Sequence, residues 1–459
     1  MITYQDMERA LAGGETIMQF VRRAISDHRA SAEYCLALTA DKYNRHQNVT
    51  ILQYQKFLYS ISGKAMPNTY AANYKLCSNF FNRFVRQQNQ FLLGNGVNWT
   101  KEDTEKKLGE SFESELQDAG EKALVHGVSF GFWNFDHLDV FSLLEFKPLL
   151  DEEDGSLKAG IRFWQLDESK PLRATLYEMD GYTEFIWRKE KTDGEVLNEK
   201  RKYILKMRGT DADGMEIYDG ENYPGFPIVP LWANKYHQSE FVGMRENIDA
   251  YDLIKSGFAN TVDESSEIYW IIQNAGGMDD IDIAEFLQRL RTTHAVNLDD
   301  GQEIMDKTID IPVEARERLL DRLRSDMYED YMALDTKNLA SGAVTATQIE
   351  AAYEPMNEKA DAYEYCVIDF LKHILMLAGI EDNPTFTRSI LVNATESINA
   401  VLSGAQYLSE DYVTEKILTL LGDGDQAEQV MKDMDGENMF RFGAGGNQKD
   451  QTEDVTNAE

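Results

Sequence analysis

Two apolar-periodic stretches of similar length, residues 244–267 and 313–334, enclose an insert at 268–312. Ile248, Tyr251, Ile254, Phe258 and Val262 mark an apolar stripe on the first stretch. Leu320, Leu323, Met327, Tyr331 and Leu334 mark one on the second, at steps of three and four. Two rods joined by a small unit fold most simply as an antiparallel pair with that unit at the far tip. The insert reads as a strand (268–273), a Gly276-Gly277 turn, a short helix (281–291) and two strands (295–298 and 302–311) flanking Asp300-Gly301, closed by Pro312.

Upstream, residues 1–60 read as helical. Pro67 opens a further helical stretch through Tyr70, Tyr74, Cys77, Phe81, Phe84, Gln88 and Phe91, which Gly94-Asn95-Gly96 stops in a left-handed turn. Residues 104–126 read as one more helix, closed by Gly127. From 128 to 207 the text turns aromatic and β-branched. Strands are expected at 140–150, 160–166, 174–179, 183–189 and 202–207, with turns at Asp154-Gly155, Asp180-Gly181 and Asp193-Gly194. This predicts an antiparallel sheet of successive hairpins in one α+β domain. Pro224, Pro227 and Pro230 exclude a helix over 221–235, which reads as an extended connector and a domain boundary.

Downstream, residues 335–344 read as a loop of small residues. A Thr345-x-x-Gln348 capping box then starts the longest periodic segment of the chain. Ile349, Tyr353, Met356, Ala360, Tyr363, Val367, Phe370, Ile374 and Leu377 form its stripe, and Pro355 predicts a kink within it. Shorter helices are expected at 387–403, 409–421 and 426–434. The polar, glycine-bearing stretch 436–459 is expected to be disordered.

Composition narrows the function. The chain has 459 residues, enough for two to four structural units, and a formal net charge of −34. Such an acidic subunit does not bind nucleic-acid phosphates non-specifically. Residues 1–8 lack the basic start and apolar core of a signal peptide, and no run of sequence is apolar enough to span a membrane. Cys35, Cys77 and Cys366 form no metal or redox motif and are expected to be reduced, mostly buried thiols.

No catalytic constellation emerges. There is no GxxxxGK[ST], HExxH or GxSxG, and the seven histidines form no ligand-spaced pair. Asp211-x-Asp213-Gly214 resembles part of a calcium loop, but Gly209 and Gly220 fall where its first and twelfth ligands belong, so a hairpin turn is favoured. Asp151-Glu-Glu-Asp-Gly155 and Asp299-Asp300-Gly301 also read as turns. Gly94-x-Gly96 does not extend to a dinucleotide fingerprint. His126 and Asp136-His137 are assigned to core or turn. Arg83 and Arg86 read as the solvated face of a helix whose Phe residues are buried. No enzyme, metal or cofactor is expected.

The order of segments is similar to that of the portal proteins of tailed bacteriophages, in the siphophage and Gram-positive prophage branch. The local text resembles them too: Phe-Pro-Ile-Val-Pro-Leu-Trp-Ala-Asn-Lys-Tyr at 226–236 before Ile-Asp-Ala-Tyr-Asp at 248–252, and Asn-Leu-Ala-Ser-Gly-Ala-Val-Thr-Ala-Thr-Gln-Ile-Glu at 338–350. The resemblance implies a ring-forming portal fold: an α+β wing (1–243), two stem helices (244–267 and 313–334) and a small αβ clip (268–312). It further implies a tunnel loop (335–345), a long kinked helix returning to the wing (346–380), and a helical crown (381–435), leaving 436–459 as an acidic tail. It implies a ring of twelve copies at one capsid vertex, through which double-stranded DNA is packaged and ejected. The implied partners are the terminase, the head–tail connector, and the capsid and scaffolding proteins, with no membrane. The implied location is the virion, with the host cytoplasm during assembly. Within the loop, Thr336, Lys337, Asn338, Leu339 and Ser341 are the expected DNA-facing residues. Two other classes stay open: another phage head structural protein, and an acidic metal-dependent intracellular hydrolase, which would need a carboxylate cluster holding a divalent ion.

Overall fold

The computed structural model describes residues 2–59, 63–68, 72–188, 194–210, 216–265, 269–273, 303–307, 313–339, 346–389, 398 and 401–421. The expected helices at 281–291 and 426–434, the strand at 295–298, Thr345 of the expected capping box, the Asp211 and Asp299 turns and the 436–459 tail lie outside the described residues.

Short capped helices come first: α1 (Tyr4–Ala12), α2 (Ile17–Arg29), α3 (Ala32–Asn44) and α4 (Val49–Gln53). Thr3 and Thr16 start α1 and α2 with reciprocal capping boxes, using Asp6 and Gln19. A small hairpin follows, β1 (Phe57–Tyr59) with β2 (Ala65–Pro67). The helix expected from Pro67 begins only at Phe80, as α5 (Phe80–Leu93); Pro67 lies in β2, and residues 72–79 are neither helix nor strand. The arginine-and-aromatic pattern on α5 resolves as expected, with Phe81 and Phe84 buried and Arg83 and Arg86 exposed. Past α5, Gly94 stays right-handed at φ −67°, and Gly96 takes the positive φ of 75°. After β3 (Val97–Asn98), the single helix expected over 104–126 is two, α6 (Asp103–Leu108) and α7 (Phe112–His126). Gly109 separates them at φ 92°, a conformation no helix accommodates. Gly127 ends α7 in the left-handed region.

The strands are β4 (Val128–Asn134), β5 (His137–Ser142), β6 (Phe146–Leu150), β7 (Leu157–Trp164), β8 (Leu172–Glu178), β9 (Gly181–Trp187), β10 (Glu195–Arg201), β11 (Ile204–Thr210), β12 (Glu216–Glu221) and β13 (Ile228–Trp232). They make three sheets instead of the single one expected: β10-β9-β8-β7-β6, β13-β4-β5 and the ribbon β11-β12. The expected strand 140–150 breaks at 143–145. There the Ser142 amide donates to the Glu145 carboxylate (2.9 Å), and the Glu145 amide donates to the Ser142 carbonyl (3.1 Å). The proline-rich stretch is no linker either. β13 pairs with β4, Pro230 opposite Phe130, at the edge of its sheet, where a missing amide breaks no ladder bond.

The paired rods are α8 (Arg245–Ser265) and α9 (Val313–Tyr331), with β14 (Tyr269–Gln273) and β15 (Glu303–Lys307) pairing antiparallel between them in sequence. After them come α10 (Thr336–Leu339) and the longest helix, α11 (Ala346–Ala378), which contains Pro355. The stripe predicted for α11 is buried from Tyr353 to Leu377, its eight residues each under a tenth exposed. Two glycines allow close approach to this helix. A Cβ on Gly131 of β4 would lie 2.5 Å from the Phe370 ring, and one on Gly120 of α7 would lie 2.7 Å from the Tyr363 hydroxyl. β16 (Thr385–Phe386) then pairs with β3, and residues 387–389 are not helical, so the helix expected from 387 does not start there. Residues 401–404 are helical, and α12 (Glu410–Leu421) matches the expected 409–421. The described chain divides into two units: Met1–Leu334 with Pro355–Arg388, and Asp335–Glu354 with the residues from Ser389 on. The boundary expected near 221–235 is not one of the divisions. Cys35 is exposed and Cys77 and Cys366 are only partly buried, against the expectation of buried thiols.

Candidate functional site

The two rods do lie against each other, head to tail. Asn247 near the start of α8 donates to Asp330 near the end of α9 (3.1 Å). Arg316 near the start of α9 donates to Thr261 near the end of α8 (2.9 Å). The Arg316 guanidinium also sits 5.7 Å from the Phe258 ring centre. The opposite end of the pair is set into the first unit by aromatic packing. Phe84 of α5 contacts Tyr328 edge-on at 5.0 Å and stacks with Tyr331 at 4.9 Å, while Phe80 meets Tyr251 at 5.0 Å. The stripe predicted on α9 grades from half-buried Leu320 and Leu323 to buried Met327, Tyr331 and Leu334.

On α8 the predicted stripe is not the buried one. Of its residues only Ile248 is fully buried, and Val262 is 50% exposed. The buried row runs Ile248, Asp252, Ser256 and Asn260, one turn apart and mostly polar. Its partners are the amides of residues 72–79. The Ser78 amide donates to Asp252 (2.8 Å), that of Leu76 to Ser256 (2.9 Å) and that of Tyr74 to Asn260 (2.6 Å). Asn48 adds its side-chain amide to Asp252 and also donates to the Ser78 carbonyl (3.1 Å). Alternate amides facing one way mark extended chain, whose two-residue repeat of about 6.7 Å matches the rise of about 6 Å over four helical residues. Burial raises the Asp252 carboxyl above its ordinary range, and the donors from Asn48 and Ser78 oppose that shift.

Removing a ladder acceptor leaves a buried donor unmet. Asp252→Ala is expected to lower unfolding free energy by about 2–4 kcal/mol, and Asn260→Ala by about 1 kcal/mol, since only Asp252 is a charged acceptor with two donors. Urea unfolding, with amide exchange read at Ser78, checks the order. Equal effects at the two positions would contradict the ladder.

The exit of α9 is fixed as firmly. The Ala333 amide donates to the Tyr328 carbonyl (2.9 Å) and the Met332 amide to that of Glu329 (3.0 Å). Met332 takes φ 61°. This is a Schellman stop with methionine where glycine is usual. Lys359 of α11 caps the Tyr331 carbonyl (3.0 Å), lies over the Tyr331 ring at 3.3 Å from its centre, and pairs with Glu240 at 2.7 Å. Gln87 and Gln88 of α5 bind the Leu334 carbonyl (3.0 Å) and the Tyr331 hydroxyl (2.8 Å).

Beyond this anchor lie the expected site residues. Thr336, Lys337, Asn338 and Leu339 form the single turn α10, where loop was expected; Asp335 starts it by accepting the Lys337 amide (3.1 Å). Thr336 and Lys337 are exposed. The side chains of Asn338 and Leu339, and Ser341 as a whole, lie outside the described residues. Pro355 begins the return of the chain to the first unit. Among the described residues, no group of three or more His, Cys, Asp or Glu could hold a metal, and no helix is long and apolar enough to cross a membrane.

The chain matches the family described as phage portal protein, SPP1 Gp6-like, over residues 40–438. It belongs to that family. The portal protein of Clostridium phage phiCD119 is 27% identical over 254 residues, covering 52% of this chain and 53% of that protein, so the match spans about half of each. The portal protein of Bacillus phage SPP1 is 21% identical over 399 residues, covering 75% of this chain and 73% of that protein. Among solved structures, a chain in the neck of an empty gene transfer agent particle, computed with C6 symmetry, has a TM-score of 0.45 at 11% identity over 75% of this chain and 90% of its own. One in the neck of the native particle, computed with C12 symmetry, has a TM-score of 0.41 at 10% identity over 74% of this chain and 89% of its own. Portal proteins are structural components of the phage virion, and this family member is not an enzyme.

Proposed function

We propose that twelve copies of this portal-family chain form a ring at one vertex of a phage capsid, and that double-stranded DNA enters and leaves the head through its centre. The family match over residues 40–438 carries this reading. In it, 1–243 form the wing, α8 and α9 the stem, 268–312 the clip that meets the terminase and later the head–tail connector, and 381–435 the crown. Residues 335–345 line the tunnel, with Thr336, Lys337, Asn338, Leu339 and Ser341 towards DNA, and Pro355 bends the helix that returns to the wing. Capsid and scaffolding proteins surround the ring, which assembles in the host cytoplasm. Twelve copies would carry about −400 formal charges, so the channel would repel phosphate and let DNA slide.

The surface of the rods supports lateral assembly. Leu253 and Val262 of α8 and Val313 and Leu319 of α9 are 42–50% exposed. Neighbouring copies would cover them, each leucine contributing about 1–2 kcal/mol. Negative-stain images of the purified chain are expected to show rings with a central hole. The Leu253→Asp/Leu319→Asp double variant should sediment mainly as monomer. A wild-type chain that stays monomeric at micromolar concentration would overturn the ring.

A further inference from the structure

A cavity of about 710 Å³ opens between the α2–α3 turn, β6 and the turn at 237–239. Its size falls in the range of small-ligand sites, about 300–1,000 Å³. Leu36, Leu143, Leu150 and Trp232 give it an apolar wall, and the Trp232 ring is stacked on His237 at 3.8 Å. Lys147 of β6 also lines it. This lysine is only 3% exposed, yet among the described residues its ammonium makes no hydrogen bond and no ion pair within 4 Å. A buried ammonium ordinarily has a partner, because an unpaired buried charge is strongly unfavourable. Burial lowers the Lys147 pKa; Glu33 and Asp27, on the same wall but beyond ion-pair distance, oppose the shift. His126 borders the cavity too; both ring nitrogens are buried without a hydrogen bond, and Nε2 lies 3.8 Å from the Asp41 carboxylate.

We propose that this cavity binds a small monocarboxylic acid with an apolar body, its carboxylate on the Lys147 ammonium and its body against Leu36, Leu143 and Trp232. The ligand class follows from charge and lining together. The Lys147 ammonium, without an ion-pair partner within 4 Å, offers one contact for a carboxylate, and the Asp27 and Glu33 carboxylates that also line the cavity disfavour a dianion such as phosphate. The apolar wall favours a hydrocarbon or aromatic body over a bare ion. The site lies within the first unit.

Hexanoate and the equally sized neutral hexanamide are the probes, titrated into the full chain at pH 7 and followed by calorimetry. A charge-assisted contact predicts that hexanoate binds saturably and at least about tenfold tighter than hexanamide. Inorganic phosphate should not compete. Lys147→Met should reduce the preference to about twofold or less, while Lys147→Arg keeps it. The comparison of acid with amide on the wild-type chain needs no variant. No saturable hexanoate binding, equal affinity for the amide, displacement by phosphate, or an undiminished preference in Lys147→Met would each overturn the site.

Discussion

Replacing residues 336–343 by a short glycine linker is expected to leave rings forming at wild-type yield and to reduce DNA packaging to background. The first half of this result follows from where the anchors lie. The Schellman stop at Met332, the Lys359 cap on Tyr331 and the Gln87 bond to the Leu334 carbonyl all use residues outside the replaced segment. The buried stripe of α11 begins after it, at Tyr353. Thr336 and Lys337 are exposed, so no core is removed with them. Shortening the connection changes closure entropy by only about 0.6 kcal/mol per twofold change in length. The second half rests on the tunnel assignment. Lys337 and Asn338 are the long polar side chains of this segment, and they are proposed to make the weak contacts that guide DNA through an otherwise repulsive channel. Negative-stain imaging of rings and nuclease-protected DNA in heads read the two halves separately. Intact rings with normal packaging would remove the segment from the DNA path, and absent rings would show that it holds subunits together.

The second rod and the long helix were legible because apolar periodicity reports burial directly, whereas the first rod was legible as a helix but not in its buried face. Tyr353 through Leu377 and Met327 through Leu334 obey that periodicity. The strands were legible singly but not as sheets. Nothing in residues 140–150 marks the break at Ser142–Glu145, which depends on a local hydrogen-bond exchange. β13 was hidden because Pro227 and Pro230 argue against a ladder, and only its edge position makes Pro230 tolerable. The late start of α5 has a tertiary cause: the amides of Tyr74, Leu76 and Ser78 are taken by side chains far along the chain. A signal for those partners was nevertheless present. Asp252, Ser256 and Asn260 fall in line with Ile248 at steps of four, where an amphipathic helix would place apolar residues. A polar row on a core-facing line calls for a polar partner. Lys359 carries the same signal, three residues after Met356 and four before Tyr363 on the buried face of α11.

That second signal leads to the largest stability effect expected of a single side chain. Lys359→Met should lower unfolding free energy by about 3–5 kcal/mol, because it strands Glu240 in a site where the two side chains are only 16% and 14% exposed. The loss is compounded at Tyr331, whose carbonyl loses its cap and whose ring loses its cation. The pair is asymmetric, and the asymmetry is testable. With Glu240→Gln, Lys359 keeps the Tyr331 carbonyl and ring together with a neutral acceptor, so the expected cost is about 1–2 kcal/mol. The double variant Lys359→Met/Glu240→Gln should be more stable than Lys359→Met alone, since no buried charge is then left unpaired. Urea unfolding of the three variants measures the cycle. A cost below about 1 kcal/mol for Lys359→Met would mean that water reaches the pair. A cost of the expected size would make Lys359 the residue that fixes where α9 ends, and with it the point at which the chain departs towards residues 336–341.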